Sequence, residues 1–235
     1  MTQPYTICHL FCSLDGKISG PFMSSPASRM GLAAYGHLAG ELDCQATVYG
    51  TTTMLDFCPG YYDDPYAEPG DIDPRTAPDF IADATAESYI VSLDRRGRLE
   101  YPGSTMTRRG KTSHLIAVLT RQARSDYLAY LQRLGVSYVF AGENDIDCAV
   151  LLEKLSGKFG IERTLVAGGG RIDWSFLEAG CLDEVSLVVA PVVDGSPHAA
   201  TVFERMGSTS PAVALSLADT QDLGEGTLWL RYRTQ

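Results

Sequence analysis

The sequence predicts an α/β protein with three layers: a mostly parallel central sheet with helices on both of its faces. Strand-like apolar runs and segments of helical periodicity alternate along most of the chain, as they do where helices connect parallel strands. The last third is richer in strands, which predicts antiparallel strands at the C-terminal edge of the sheet. The 235 residues contain no internal repeat and no clear linker, so we predict a single domain over residues 1–235.

The individual elements follow from apolar periodicity and from glycine, proline and polar residues that interrupt it. Predicted strands cover residues 5–12, 46–49, 89–93, 114–119, 136–140, 163–167, 184–189, 211–217 and 227–232. Predicted helices cover residues 27–42, 121–134 and 146–158. One further helix runs from the glycines at 168–170 to Leu177, and another follows Gly50 with Thr51 as its N-cap.

Composition and charge exclude several classes of function. A net charge of −10 argues against a nucleic-acid surface, because phosphate backbones attract basic stripes. No apolar run approaches the length of a membrane span and the first residues form no basic leader, so we expect a soluble, cytoplasmic protein. The six cysteines form no CxxC pair and there are only four histidines, so we expect neither a metal site nor a disulfide framework.

Residues 57–87 interrupt the regular order. The segment is rich in Pro, Gly, Asp and Tyr, as in CPGYYDDP at 58–65, and this composition predicts an irregular insertion that supplies no core element. Long irregular loops in compact domains are often functional. A lid over a site, a contact between subunits, a disordered loop and simple surface decoration all remain open.

Three glycines, Gly168, Gly169 and Gly170, follow a predicted strand, open a predicted helix and are followed by Arg171. Glycines at such a junction let backbone amides approach a pyrophosphate, and the helix N-terminus favours the anion. The run matches neither GxGxxG nor a Walker loop. A tight turn with close packing of helix on sheet explains it equally well.

A second junction of the same kind lies at Gly50, Thr51, Thr52 and Thr53, where a strand meets a glycine and then hydroxyl side chains. Free amides and hydroxyls there suit a phosphate or the amide of a nicotinamide. Helix capping by Thr51 is the simpler explanation. Two such junctions in one α/β protein favour a nucleotide ligand more than either does alone.

The SLDGKISG stretch at 13–20 follows the first predicted strand. Asp15 would supply an acceptor or a proton relay there, and Lys17 a cation for a phosphate or a polar ring. The Asp–Gly pair is also typical of an ordinary turn between strands. On this stretch alone, the turn is the favoured interpretation.

The predicted strand at 89–93 contains a hydroxyl, Ser92, and is followed by Asp94 and by Arg95 in a basic, loop-like stretch that reaches residue 111. Planar guanidinium groups match phosphate oxygens, so this strand end suits the 2′-phosphate of NADPH. Asp94 leaves the opposite option open, because an acidic residue binds the ribose hydroxyls of a dinucleotide that lacks this phosphate. A solvated loop is the third interpretation.

Five short stretches occur in the order and at the separations of a known family. They are SLDGKI (13–18), VYGTTT (48–53), LVAGGG (165–170), AGCLDEV (179–185) and VAPVVDG (189–195). On these motifs the chain resembles the pyrimidine reductase domain of riboflavin biosynthesis, the C-terminal half of the bacterial bifunctional deaminase–reductase, which shares the dihydrofolate-reductase fold. The resemblance covers nearly the whole chain apart from the 57–87 insertion.

The resemblance implies a homodimeric, NADPH-dependent oxidoreductase similar to 5-amino-6-(5-phosphoribosylamino)uracil reductase. In such an enzyme the cofactor carries the redox chemistry and the protein supplies orientation and charge stabilisation. Asp15 and Lys17 match the motif that faces the substrate. The candidate cofactor-binding residues, combined with those singled out above, are Gly50, Thr51, Thr52, Thr53, Ser92, Arg95, Gly168, Gly169, Gly170 and Arg171.

The chain departs from the family pattern at several positions. Ala167 stands where the family's glycine loop begins with Glu, HLAG at 37–40 offers no counterpart of the family's first-helix arginine, and the 57–87 insertion replaces a Leu-Thr-x-Arg segment. No zinc deaminase half is found in the sequence. Two alternatives therefore stay open: a non-catalytic dimeric nucleotide-binding protein of the same fold, and a dihydrofolate reductase. For the latter, Glu41 and Asp43 lie late on the first helix for an acid that protonates the pterin.

Overall fold

The computed structural model of the chain describes residues 3–63, 72–205, 207 and 211–234. The chain divides into two compact units. The first unit consists of Met1–Pro4 and Gln45–Glu162, and the second of Tyr5–Cys44 and Arg163–Gln235. The single domain expected from the sequence stays a prediction.

Most of the predicted strands and helices are confirmed to within a few residues. Within the described ranges, the strands are β1 (Tyr5–Cys12), β2 (Ala46–Gly50), β3 (Gly60–Tyr61), β4 (Tyr89–Leu93), β5 (Leu99–Glu100), β6 (Thr105–Arg108), β7 (Lys111–Leu119), β8 (Ser137–Phe140), β9 (Arg163–Val166), β10 (Glu184–Val189), β11 (Leu215–Gly224) and β12 (Thr227–Thr234). The α-helices are α1 (Arg29–Glu41), α2 (Thr51–Leu55), α3 (Ser125–Leu134), α4 (Cys148–Phe159) and α5 (Gly170–Glu178). Two short 3-10 helices, Pro21–Ser24 and Pro26–Ser28, precede α1.

The sheet of the first unit is mostly parallel. β2 pairs with β4 and β4 with β7, both in parallel. Along the other side of β7, β6 pairs with its first half in antiparallel orientation and β8 with its second half in parallel. The carboxyl ends of β2, β4, β7 and β8 therefore lie at one edge of this sheet, where ligands bind in open parallel sheets.

Helices α3 and α4 lie on opposite faces of this sheet, because successive residues of a strand point to opposite faces. On β4, Ile90 packs in the core cluster that contains Leu128 and Leu131 of α3. Its neighbour Tyr89 instead contacts Phe159 of α4, with ring centroids 5.4 Å apart. The predicted placement of helices on both faces is thus confirmed in this unit.

The second unit has a five-stranded sheet in the order β11-β12-β10-β1-β9. β1 pairs in parallel with β9 and β10, whereas β12 pairs in antiparallel orientation with β10 and β11. The antiparallel C-terminal edge is therefore confirmed. On β1, the ring of His9 stacks on Tyr35 of α1 at 4.7 Å, and the adjacent Cys8 interacts with Asp173 of α5, so helices again cover both faces.

The basic stretch near residue 108 is a β-hairpin and not the predicted loop. β6 and β7 meet at a turn where Arg109 and Gly110 have positive φ angles of 48° and 79°. Two successive left-handed residues make the turn that matches the twist of the flanking strands. The sequence does not predict β6, because Met106 is the one buried residue of its four and no apolar alternation marks it.

Two further predicted boundaries are wrong. Gly50, and not Thr51, is the N-cap of α2; the hydroxyl of Thr51 donates instead to the carbonyl oxygen of Leu93 at 2.8 Å. The strand predicted at 211–217 begins at Leu215 and continues to Gly224. It is an edge strand, and its exposed polar residues obscure the apolar pattern.

The described part of the 57–87 insertion packs onto the first unit and adds to its core, which corrects the expectation that it supplies no core element. β3 pairs with β5, and the ring of Tyr62 stacks on Tyr130 with centroids 4.5 Å apart. Phe80 exchanges two backbone hydrogen bonds with Tyr138 of β8. Ala77 belongs to the buried cluster of this unit. Residues 64–71 lie outside the described residues.

Candidate functional site

The predicted site residues are divided between the two units. The first unit contains Gly50, Thr51, Thr52, Thr53, Ser92 and Arg95. The second unit contains Asp15, Lys17, Gly168, Gly169, Gly170 and Arg171. The structure thus brings the Asp15–Lys17 turn and the three-glycine run into one compact unit although about 150 residues separate them in the chain.

The glycine run at 168–170 forms the start of α5. Gly169 is the N-cap, and its carbonyl oxygen accepts from the amide of Ile172 at 2.8 Å. No acceptor among the described residues faces the amides of Gly170 and Arg171. Amides in the first turn of a helix have no partner within the helix and attract anions. This end of α5 can therefore hold a phosphate group.

Each of the three glycines meets a different environment. A Cβ at Gly170 would lie 2.2 Å from the carbonyl oxygen of Thr201, and a Cβ at Gly168 would lie 2.8 Å from Cβ of Ile172. A Cβ at Gly169 would meet nothing within 4 Å. Close packing therefore explains Gly168 and Gly170, in line with the interpretation of this run as a tight, closely packed turn. The middle glycine leaves space beside the helix start.

A segment around Thr201 joins the glycine run to the Asp15–Lys17 turn, and no sequence signal pointed to it. The amide of Glu204 donates to the carbonyl oxygen of Gly170 at 2.9 Å. On the other side, Lys17 forms an isolated antiparallel bridge with Thr201. The segment thus makes one connected surface from two motifs that are remote in sequence.

Charged groups from this segment and from α5 lie close together. Arg171 is exposed, and its Nε lies 3.8 Å from Oε2 of Glu204. The other carboxylate oxygen of Glu204 accepts from the amide of Thr201 at 2.9 Å. Arg171 is therefore only loosely paired, and its guanidinium can turn to an anionic ligand.

Asp15 accepts hydrogen bonds from three groups of its own turn and of the loop around Asp194. Its Oδ1 accepts from the hydroxyl of Ser13 at 2.6 Å and from the amide of Asp194 at 2.9 Å, and its Oδ2 accepts from the amide of Gly195 at 2.9 Å. These hydrogen bonds, led by that of Ser13, hold the pKa of the Asp15 carboxyl well below its usual range. Asp15 stays ionised and ties its own turn to the loop around Asp194.

Lys17 retains donor capacity for a ligand. Its Nζ lies 3.4 Å from the carbonyl oxygen of Ala199, and its amide donates to the hydroxyl of Ser13 at 2.9 Å. No carboxylate among the described residues forms an ion pair with it. Because an ammonium group carries three donors, Lys17 can bind a phosphate or a polar ring.

Asp173 is a buried carboxyl group that sequence reasoning missed. It lies in the first turn of α5 and is fully buried, and its carboxyl group interacts with the thiol of Cys8 and the backbone of Gly168. Burial raises the pKa of Asp173 well above its usual value and also raises that of the neighbouring Cys8 thiol. Burial thus favours the neutral form of this carboxyl group, which lies beside the glycine run.

The Gly50–Thr53 junction keeps part of its predicted capacity. The hydroxyl of Thr51 is used by Leu93, as described above, whereas Thr52 is exposed and Thr53 is half-buried. Gly50 is buried and caps a helix of only five residues. Thr52 and the helix-start amides are therefore the groups that this junction can offer to a ligand.

Ser92 and Asp94 have structural partners, which corrects their predicted roles. Ser92 is fully buried, and its hydroxyl accepts from the hydroxyl of Tyr101 at 2.9 Å. Oδ2 of the buried Asp94 accepts from the amides of Arg98 and Leu99 and from the hydroxyl of Tyr127. Buried polar groups are stabilised by such partners, so neither side chain is offered to a cofactor.

Arg95 points away from this buried network. Its side chain is 46% exposed and forms an ion pair with Asp145. The backbone oxygen of Arg95 accepts from both the amide and the hydroxyl of Thr120. Arg95 and the exposed Arg96 are cations at this strand end that are accessible to a ligand phosphate.

No group of three or more His, Cys, Asp or Glu side chains among the described residues could hold a metal ion. None of the helices in the described part of the chain is long and apolar enough to span a membrane.

Comparison with solved structures gives the fold. Form 2 of Acinetobacter baumannii RibD superposes with a TM-score of 0.64 at 23% identity over 99% of this chain, and the chain spans 58% of that protein. A pyrimidine reductase-like protein from Corynebacterium diphtheriae superposes with a TM-score of 0.69 at 15% identity, covering 99% of this chain and 92% of that protein. These likenesses confirm the dihydrofolate-reductase-like fold that the motifs imply.

Sequence comparison gives the family. The chain is 30% identical over 233 residues to the 2,5-diamino-6-ribosylamino-4(3H)-pyrimidinone 5′-phosphate reductase of Methanothermobacter thermautotrophicus, covering 95% of both chains. A family model described as the RibD C-terminal domain matches residues 4–229, which is nearly the whole chain. The chain therefore belongs to the RibD C-terminal domain family.

Proposed function

We propose that this protein is an NADPH-dependent reductase of riboflavin biosynthesis that acts on 2,5-diamino-6-ribosylamino-4(3H)-pyrimidinone 5′-phosphate. The observation that carries the proposal is the relative of that name, which is 30% identical over 95% of both chains. The motifs alone point to the uracil form of the substrate. The name of the relative favours the diamino form, which keeps a 2-amino group where the uracil has an oxygen.

The glycine run supports a nucleotide cofactor. The amides of Gly170 and Arg171, which face no acceptor within the described ranges, suit a pyrophosphate group together with the space beside Gly169 and the loosely paired Arg171. In the first unit, Thr52 and Arg95 are the side chains best placed to bind the same class of ligand. When bound, NADPH would supply the hydride.

The substrate side is supported by Lys17 and Asp15. Lys17 has donors to spare for a phosphate or a carbonyl group of the pyrimidine. The ionised Asp15 holds the turn that carries Lys17 against the loop around Asp194. We propose that Lys17 binds the substrate and that Asp15 positions it, because fixed charges lower the cost of orienting a reactant.

A cytoplasmic, homodimeric enzyme completes the proposal, as the family resemblance implies. The hairpin β11–β12 supports a dimer, since Leu217 and Leu228 on it are 58% and 39% exposed. Exposed apolar side chains on an edge hairpin are found at subunit contacts.

The decisive experiment is an assay of the purified protein with NADPH and each of the two pyrimidines, following oxidation of the cofactor. We expect turnover of the diamino form with kcat/KM at least about 10-fold above that of the uracil form, because a polar site rejects a ring with the wrong hydrogen-bonding groups. Cofactor binding without oxidation by either compound would favour the non-catalytic alternative. Turnover of dihydrofolate would favour the second alternative, a dihydrofolate reductase.

The variant Lys17→Met tests the substrate side. Loss of a charged hydrogen bond to substrate lowers kcat/KM by roughly 10- to 100-fold, with no change in NADPH affinity or melting temperature. Lys111→Met removes an exposed cation from the β6–β7 hairpin and serves as the control. Equal activity of the two variants would contradict the role of Lys17.

A further inference from the structure

We propose that Asp145 determines the preference between NADPH and NADH by competing with the 2′-phosphate of NADPH for Arg95. The inference rests on the proposed function, because it requires that a nicotinamide dinucleotide binds at the carboxyl end of β4. It assigns a specificity-determining role to a residue that lies outside the five motifs of the family resemblance.

The two residues that follow β4 point in opposite directions. Asp94 is 1% exposed, and its Oδ2 accepts from Tyr127 at 2.8 Å and from two backbone amides. It is therefore not available to bind the ribose hydroxyls that an NADH-specific site recognises. Arg95 is exposed, so its guanidinium, unlike the carboxylate of Asp94, is accessible to the adenosine ribose or its phosphate.

The backbone at Arg95 is held in place by β7. Its carbonyl oxygen accepts from the amide of Thr120 at 2.9 Å and from the hydroxyl of Thr120 at 2.8 Å. Thr120 follows the last residue of β7 and is fully buried. The guanidinium therefore extends from a fixed point at the ligand-binding edge of the sheet, and its partner decides where it points.

Asp145 is presented from an equally constrained loop after β8. Gly142 has a φ of 122°, and a Cβ there would lie 2.0 Å from the carbonyl oxygen of Asp145, so only glycine allows this loop to fold back. The amide of Asp147 donates to the carbonyl oxygen of Ala141 at 2.8 Å and closes the loop. The side chain of Asn144 accepts from Gln122 at 2.7 Å.

Two fixed backbones thus place one carboxylate against one guanidinium. Arg95 donates through Nη1 to Oδ1 of Asp145, and the two side chains are 46% and 79% exposed. Exposed ion pairs contribute little to stability, so an incoming phosphate can replace the carboxylate as the partner of Arg95. NADPH then has to displace Asp145 and to sit near its charge, whereas NADH leaves the pair intact.

The test is the affinity of the 235-residue chain and of its variants Asp145→Asn and Glu143→Gln for NADPH and for NADH, measured by calorimetry or fluorescence. Asp145→Asn removes the competing charge but keeps the shape of the side chain. We expect it to tighten NADPH binding about 3- to 10-fold while NADH binding changes less than about 2-fold, since one adjacent charge acts mainly on the phosphate. Glu143→Gln removes the same charge from an exposed position of the same loop and is expected to change neither affinity by more than about 2-fold.

Two further measurements separate the mechanisms. Arg95→Gln is expected to weaken NADPH binding and to abolish the effect of Asp145→Asn in the double variant, because the two residues act on one phosphate. Higher salt is expected to reduce the gain from Asp145→Asn, because salt screens exposed charges. Melting temperatures of all variants show that each remains folded.

Several outcomes would overturn the inference. A loss of NADH affinity in Asp145→Asn with unchanged NADPH affinity would make Asp145 a ribose ligand instead. If Asp145→Asn tightened the binding of both nucleotides equally, or if Glu143→Gln tightened NADPH binding as much, the effect would come from the net charge of the protein and not from Asp145 itself. Failure of the unaltered protein to bind either nucleotide would contradict the proposed function itself, which distinguishes the two failures.

Discussion

Asp173 should make the stability of this protein depend on pH in a way that its surface carboxylates do not. Burial raises the pKa of Asp173 in the folded chain, so the folded state holds a proton that the unfolded chain releases near pH 4. The stabilisation from this group is complete below the unfolded pKa and is lost as the pH rises toward the folded pKa. Each unit of difference between the two pKa values contributes about 1.4 kcal/mol.

The variant Asp173→Asn cannot ionise and should lose this dependence. Its unfolding free energy, measured in denaturant between pH 4 and pH 9 (roughly the range between ordinary carboxyl and thiol pKa values), is expected to fall less with rising pH than that of the unaltered chain. Asp56→Asn, at an exposed position, should follow the unaltered chain. Parallel curves for all three proteins would mean that Asp173 titrates normally and is not desolvated.

Alanine substitutions at Gly170 and Gly169 separate the packing role of the glycine run from its role in ligand binding. Gly170→Ala places a methyl group 2.2 Å from the carbonyl oxygen of Thr201, and overpacking of this kind destabilises by about 1–3 kcal/mol. Gly169→Ala meets nothing within 4 Å, so the free energy of unfolding should change by less than about 1 kcal/mol.

NADPH affinity then decides the role of the middle glycine. If the pyrophosphate approaches the start of α5, Gly169→Ala should weaken NADPH binding while leaving the melting temperature unchanged. Both quantities are measured on the same preparations by thermal unfolding with and without NADPH. A Gly169→Ala variant that binds NADPH normally would place the cofactor away from this residue.

The sequence predicts the site unevenly, and the reason lies in individual residues. Gly168, Gly170 and Asp15 are recognisable because glycine junctions and Asp–Gly turns have local signatures. The contact between Glu204 and Gly170, and the pairing of Arg95 with Asp145, join residues about 30 to 50 positions apart that no local pattern relates. The sequence suggests Ser92 as a cofactor ligand because its hydroxyl lies near a strand end. In the structure that hydroxyl accepts a hydrogen bond from Tyr101.

At the scale of elements, the strands predicted best are those buried on both faces. All five residues of β4 are buried, and such continuous apolar runs are typical of the interior of a parallel sheet. β11 is exposed along most of its length, so polar residues conceal it. The hairpin β6–β7 depends on two left-handed residues, Arg109 and Gly110, and arginine gives no signal for that conformation.

Asp79 anchors the insertion at 57–87 to β8 and α4. The carboxylate is 6% exposed and accepts from the amide of Phe140 at 2.8 Å and from Nζ of Lys154 at 3.0 Å. Asp79→Ala leaves the buried amide of Phe140 without its acceptor and the half-buried ammonium group of Lys154 without its carboxylate. We expect a loss of about 3–5 kcal/mol in the free energy of unfolding.

Asp83→Ala is the matched control, because Asp83 lies in the same insertion but is partly exposed at the surface and bonds to Thr85 and Ala86 within its own turn. The Asp83→Ala variant should lower the free energy of unfolding by about 1 kcal/mol or less. Chemical denaturation of the three proteins measures both values. Similar small losses for the two variants would mean that the insertion is not anchored through Asp79.

At the scale of the whole molecule, acidity and apolar exposure favour different states of association. A net charge of −10 keeps copies of the chain apart at low salt, since like charges repel over the Debye length. The β11–β12 hairpin carries the apolar side chains that could overcome this repulsion. Leu217 lies directly opposite Tyr232 in the register of the hairpin.

The homodimer proposed from the family resemblance is therefore tested on this hairpin. Trp229 lies on one face of β12, where its Nε1 donates to Ser186 at 2.8 Å, and Leu228 points to the other face, because successive residues alternate. Leu228→Asp adds a charge there without touching the buried side, so we expect dimers of the unaltered chain to become monomers. Light scattering after size-exclusion chromatography gives the mass. Leu14→Asp, which adds the same charge at an exposed leucine outside this hairpin, is the control. A monomeric unaltered chain would refute the dimer, and a dimer that persists in Leu228→Asp would place the interface on another surface.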